Sequence, residues 1–239
     1  SIHNTGEASY SIGVYNNNAS PHFTFVDIRA TDGSSNTFGM RNVSGSAPIL
    51  TQMNIRVLRN DGANGEDILG VYNNQSSPRL THVYIRGRNA TDTCHGIFST
   101  GVSNPIIEDC SIELSEAPIC FGIGSEAGSA SLIRNSTVNV YAAVNAQAIS
   151  NANTVGITLT NVTAGAFNAN NTYGMYNTSA SAEVQNSMLI AQGAPTNNIG
   201  IYNTAPAGTH QIRVTNSRIF GNGSTIFNDN NFIVECGAT

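Results

Sequence analysis

The side chains best suited to chemistry in this 239-residue sequence are a few acidic and basic groups in its first half. Glu108, Asp109, Glu113 and Glu116 form the densest acidic stretch. Glycoside hydrolysis requires two carboxylates, one as acid and one as base or nucleophile, so this stretch is the first place to seek it. Asp109 also holds the same place in the chain's repeat as His82, and a His–Asp pair can orient a general base. Both residues fall at turn positions, which accept Asp and His without any catalytic reason. No catalytic residue is assigned, and the reading leans away from an enzyme.

Three further groups have binding chemistry. Asp61, Glu66 and Asp67 lie in a short insertion with Asn60, Asn64 and two glycines, a composition that can wrap calcium through oxygen ligands. The spacing is not that of an EF-hand, and a solvated protruding loop is the expected reading; no metal site or cofactor is assigned. Arg29, Arg56 and Arg86 recur at one place in successive repeats, with Glu113 next, and form either a strip for sulfate or uronate groups or an exposed row. Tyr15, Arg41, Tyr72, Phe98, Tyr176 and Tyr202 recur at another. Such a column suits sugar stacking or protein contact, with Arg41 adding a cation–π term. Self-stacking on a sheet gives the same column with no ligand.

The element that must position all of these is a repeat. A tetrad of small residue, aliphatic, aromatic and Asn begins at Gly13, Gly39, Gly70, Gly96, Gly122, Ala148, Gly174, Gly200 and Thr225, in steps of 26, 31, 26, 26, 26, 26, 26 and 25 residues. A fixed period in this range means a stacked solenoid. About ten residues after each tetrad, apolar positions recur at i, i+3 and i+5, as in Leu50/Met53/Ile55 and Leu80/Val83/Ile85. The last two alternate as a strand does, and the longer first step implies a bend. Pro21, Pro48, Pro78 and Pro105 stand before these strands, where no ladder N–H is needed. Parallel crossovers of this kind are strongly right-handed. The sequence therefore predicts an all-β chain, a right-handed parallel β-helix of about nine coils of ~26 residues, as a single domain over 1–239.

Period 2 turns the tetrad aliphatics inward, and with them the residue two places on. That residue is Asn16, Asn42, Asn73, Asn151, Asn177, Asn203 or Asn228 in seven of nine coils, an expected structural ladder at a turn. Cys94 and Cys120 share a coil position and are a disulfide candidate.

Composition narrows the function classes. There are ten Arg, no Lys, 32 Asn and 46 Ser plus Thr, with a net charge of −5. Nucleic-acid binding by phosphate neutralisation is not expected, and no apolar run approaches the ~20 residues of a membrane helix. A low-charge, amide-rich surface suits an extracellular or cell-surface protein.

These residues resemble the right-handed parallel β-helix proteins of the pectate-lyase-like superfamily. The stretch Gly70 to Thr81 is similar, more narrowly, to Gly-Ile-Tyr-Asn repeats of large bacterial surface and secreted proteins. The resemblance implies a fold rather than an activity: the Asn-Thr-Asp, Asp-Asp and Gly-His-Gly motifs of polygalacturonase-type enzymes are missing, and there is no Lys to act as base. The expectation is a non-enzymatic structural β-solenoid, part of a surface fibre, filament or adhesin. The rival is a carbohydrate-active module on the Arg-rich early coils, binding or cleaving an acidic polysaccharide. Counting back from Gly13 places Ile2 at the last core position of a coil, and Val234 falls near the start of a second strand. Self-association head to tail is therefore expected, with Ile2 of one copy continuing the sheet left by Val234 of the next and Cys236 near the joint.

Overall fold

A computed structural model describes residues 1–5, 9–59 and 67–237. Every regular element among these residues is a strand, and all strand pairing is parallel. No helix is long and apolar enough to cross a membrane.

The coils stack into a parallel β-solenoid with three strand-bearing faces. The first face is a nine-stranded sheet running from Tyr10–Asn17 through Asn36–Val43, Asp67–Asn74 and Thr93–Thr100 to Ser224–Asn228. The second face begins at His22–Thr24 and the third at Ile2–Thr5. In two coils the strands Ile49–Leu58 and Arg79–Arg88 run unbroken from the second face into the third, which joins both faces into one sixteen-stranded sheet. The register follows the sequence repeat: Val14 lies against Met40, Met40 against Val71, Val71 against Ile97, and so on to Ile201 and Ile226.

The bend between the second and third faces has a local cause. Gln52, His82, Asp109, Asn135, Asn161, Asn186 and Asn216 all have φ between 46° and 55°, the left-handed region. One left-handed residue between two extended ones breaks the alternation, which turns the apolar spacing from i+2 into i+3. Asn tolerates this backbone best, because its short amide can bond locally. Some middle positions of the apolar triplets are serines rather than hydrophobes. Ser136 Oγ donates to the carbonyl of Arg134 at 2.6 Å and accepts the amide of Cys110 at 3.1 Å; Ser187 repeats the arrangement with Gln185 and Val162. These hydroxyls satisfy backbone at the corner. The prolines sit where the sequence allows them: the carbonyls of Pro21, Pro48 and Pro78 each accept an amide from the next coil at 3.0 Å.

The glycine of each tetrad marks the closest approach between faces. A Cβ on Gly39 would come within 3.0 Å of both Ile55 Cγ2 and the Gly70 carbonyl oxygen. Gly70, Gly96 and Gly122 face Ile85, Ile112 and Val138 in the same way. One coil further on the tetrad has Ala148, and the register puts Ala164 where Val138 stood. Both alanines are fully buried. The column thus trades a glycine and a branched side chain for two alanines at nearly constant volume.

That trade is testable. Ala164→Ile alone should destabilise the chain by about 1–3 kcal/mol through overpacking, and adding Ala148→Gly should recover most of the loss. Additive effects of the two substitutions in a urea melt would contradict this packing.

Candidate functional site

The tetrad asparagines form the expected ladder. Asn16 Nδ2 donates to Asn42 Oδ1 at 2.8 Å, Asn42 to Asn73 at 2.9 Å, and Asn73 to Ser99 Oγ at 3.1 Å. The chain of bonds resumes with Asn151 to Asn177 at 3.1 Å, Asn177 to Asn203 at 2.7 Å and Asn203 to Asn228 at 3.1 Å. Asn42, Asn73, Asn151, Asn177 and Asn203 are wholly buried. Their side-chain polarity is used within the stack. Serine is too short to span a rung, so Ser125 bonds sideways to Ser131 Oγ at 2.6 Å.

The outward column of the first face pairs in register as Tyr15, Arg41, Tyr72, Phe98, Gly124, Ser150, Tyr176, Tyr202 and Phe227. A second column, missed in the sequence, runs beside it: Phe38, Leu69, His95, Phe121, Gln147 and Tyr173. Its signal was present, an aromatic or His three residues before the tetrad's third position in several coils. Three places apart on an alternating strand should put two side chains on opposite faces. Here Gly39 and Met40 both turn inward, so Phe38 and Arg41 converge outside, 5.5 Å from ring centre to guanidinium carbon.

The two ends of this double column differ. Tyr176 and Tyr202 stack at 4.9 Å and 16°, Tyr202 and Phe227 at 4.8 Å and 7°, and Tyr173 closes edge-on against Tyr176 at 5.0 Å. Burial raises the phenols of Tyr173 and Tyr176. These rings cover one another. In the early coils the rings are more widely spaced, at 5.7 Å for Phe38–Tyr72 and 6.0 Å for Tyr72–Phe98, and leave a cleft of about 240 Å³ lined by Tyr10, Phe38, Arg41, Tyr72, His95 and Phe98, with Asn36 and Asp67 on its wall. His95 packs between Phe98 at 4.8 Å and Phe121 at 4.9 Å, and burial lowers its pKa to about 4.

The other candidates are placed as follows. Arg29, Arg56 and Arg86 form one column ending at Glu113. Glu113 holds the far end, accepting from Tyr84 Oη at 2.9 Å and Arg88 at 3.3 Å, with Arg86 at 3.6 Å. Arg29 and Arg56 are exposed, and neither has an ion pair among the described residues. His82 Nε2 and Asp109 Oδ2 are 3.8 Å apart, too far for a hydrogen bond, on exposed left-handed turn residues. Asp61 and Glu66 lie outside the described residues, and no cluster of three potential metal ligands occurs among the described residues.

Cys94 and Cys120 are Cα partners on adjacent rungs, as the repeat requires. Both thiols are free and fully buried in the structure, so the positions pair without a bridge. Burial, then the hydrogen bond to Cys120, pushes the Cys94 thiol up; burial takes Cys110 to about 11. Neither supplies a ready thiolate. Cys236 is exposed.

No protein-family model, curated protein or solved structure matches the chain.

His95 gives a measurable consequence. It is neutral in the folded chain down to about pH 4, whereas its ordinary value is 6.5. Unfolding therefore takes up a proton in that window, so stability present above pH 6.5 falls as pH drops towards 4. Urea melts of His95→Phe should lack this part of the acid loss. Parallel pH profiles for the two proteins would show that His95 is not held among the rings.

Proposed function

We propose that this chain is a non-enzymatic structural β-solenoid, a segment or subunit of an extracellular or cell-surface fibre or adhesin. The observation that supports this most is where the polar groups go. The buried tetrad Asn side chains and corner Ser side chains bond from rung to rung, and coil lengths stay nearly constant through the stack. An active site on such a rod would gather loops and carboxylates over a few coils. The amide-rich, weakly charged composition supports an extracellular or surface setting, in the manner of the bacterial β-solenoids and pectate-lyase-like proteins that the repeats resemble.

Assembly is part of this reading. Among the described residues, the strands Ser224–Asn228 and Phe232–Gly237 at one end, and Tyr10–Asn17 and His22–Thr24 at the other, pair on one side only. Partly buried Ile2, Val14, Phe23, Ile219, Ile226 and Val234 cover the core at these ends. Ile2 extends the column that ends at Ile219, through Ile28 and Leu189. Val234 instead lies against Ile212 on the second face, and Cys236 against Val214. A second copy stacked in phase would therefore set its Ile2 on Ile219 rather than on Val234, and its Phe23 on Cys236. Such a contact is heterologous and propagates.

Electron microscopy and light scattering of the isolated chain at micromolar concentration should show rods longer than one chain, growing in steps of one solenoid length. A uniform population of single short rods would overturn end-to-end assembly.

A further inference from the structure

The early-coil cleft does not behave as the ring stack at the other end does. Arg41 lines the cleft, with its guanidinium carbon 5.7, 5.5 and 6.0 Å from the ring centres of Tyr15, Phe38 and Tyr72. Rings attract the charge but do not satisfy in-plane N–H donors. Arg41 Nε is buried with no hydrogen-bond partner, and no carboxylate pairs with the residue among the described residues. The Nδ1 of His95, which lines the same cleft two coils further on, is also buried without a partner. Other buried polar atoms also lack partners, Arg86 Nε and Arg88 Nε among them, but those two guanidinium groups pair with Glu113, whereas Arg41 lies against rings. Here a cation and a ring nitrogen line one cleft with donor and acceptor capacity unspent.

Size and charge narrow what fits. A volume of about 240 Å³ is below the roughly 300–1,000 Å³ of clefts that hold drug-sized ligands, so it takes one ring rather than several. The faces of Phe38, Tyr72 and Phe98 suit a flat ring, aromatic or sugar. Arg41 calls for an anion, and a planar carboxylate matches the guanidinium fork. Sulfate has no ring face to set against these side chains, so it fits less well than a carboxylate carried on a ring. We propose that this cleft is a recognition site for a single six-membered ring bearing one carboxylate, with the ring against Phe38, Tyr72 and Phe98 and the carboxylate accepting from Arg41. The ligand is held, not transformed, so the site makes the rod a binding surface as well as a spacer.

The test follows the Arg41 Nε–H resonance of the 15N-labelled full chain during titration with sodium glucuronate, sodium benzoate, glucose, benzyl alcohol and sodium sulfate. At least one carboxylate should give a saturable shift, with its neutral counterpart and sulfate weaker by about tenfold or more. A shift with glucuronate alone identifies a sugar acid, and one with benzoate alone an aryl acid. Arg41→Gln and Tyr72→Ala, read by calorimetry, should each weaken the same acid by about tenfold, while Arg134→Gln, at an exposed position on the second face, leaves it unchanged. Should either cleft variant not fold, the other carries the comparison. No shift with either acid, equal binding by the neutral analogue, or undiminished binding by the folded cleft variants would overturn the proposal.

Discussion

Every level of this structure depends on one constraint: each residue must stand over its counterpart about 4.8 Å away in the next coil. Once that register holds, a favourable contact at one position is multiplied along the stack, and an unfavourable one is too. Buried asparagine is the severest case. An amide in an apolar core is costly unless both its donor and acceptor are used. In Asn42, Asn73, Asn177 and Asn203 both are used, because an amide in one coil donates to its counterpart in the next. The ladder runs in one sense throughout, from the N-terminal coil towards the C-terminal one. Other Asn columns, such as Asn171 to Asn145 and Asn197 to Asn171, donate the opposite way.

The same constraint explains the glycines and the corners. A residue at Gly39 sees both the opposite face and the carbonyl of the coil above it, so its volume is fixed jointly by Ile55 and by the rung spacing. The left-handed corner residues fix where each strand turns, and the rest of the coil can then vary. Phe25 occupies such a corner at φ 57° and is 76% exposed, where later coils have Asn; nothing in the structure explains that choice.

Features tied to the register were legible in the sequence. The tetrad period gave the coil count, the inward Asn column and the pairing of Cys94 with Cys120, because inward positions repeat under strong steric and polar restraint. Outward positions repeat under weak restraint. The column of Phe38, His95, Phe121 and Tyr173 alternates with Leu69 and Gln147, so its periodicity is broken. Its convergence with Arg41 and Phe98 also depends on the two consecutive inward residues Gly39 and Met40, which simple alternation does not foresee. The serine corners failed to register for a related reason: Ser136 and Ser187 sit in a column that elsewhere holds Met53 and Val83, and only the hydrogen bonds reveal their polar role.

The buried amide ladder holds the coils in register, and side-chain hydrogen exchange reads it directly. Nuclear magnetic resonance of the native chain can follow the Nδ2 protons of each asparagine in deuterated solvent. The Nδ2 protons of Asn42, Asn73, Asn177 and Asn203 should persist long after those of exposed Asn17 have exchanged, with protection rising and falling together as the stack opens cooperatively. Ladder amides that exchange as fast as Asn17 would contradict the register on which the fold and the cleft rest.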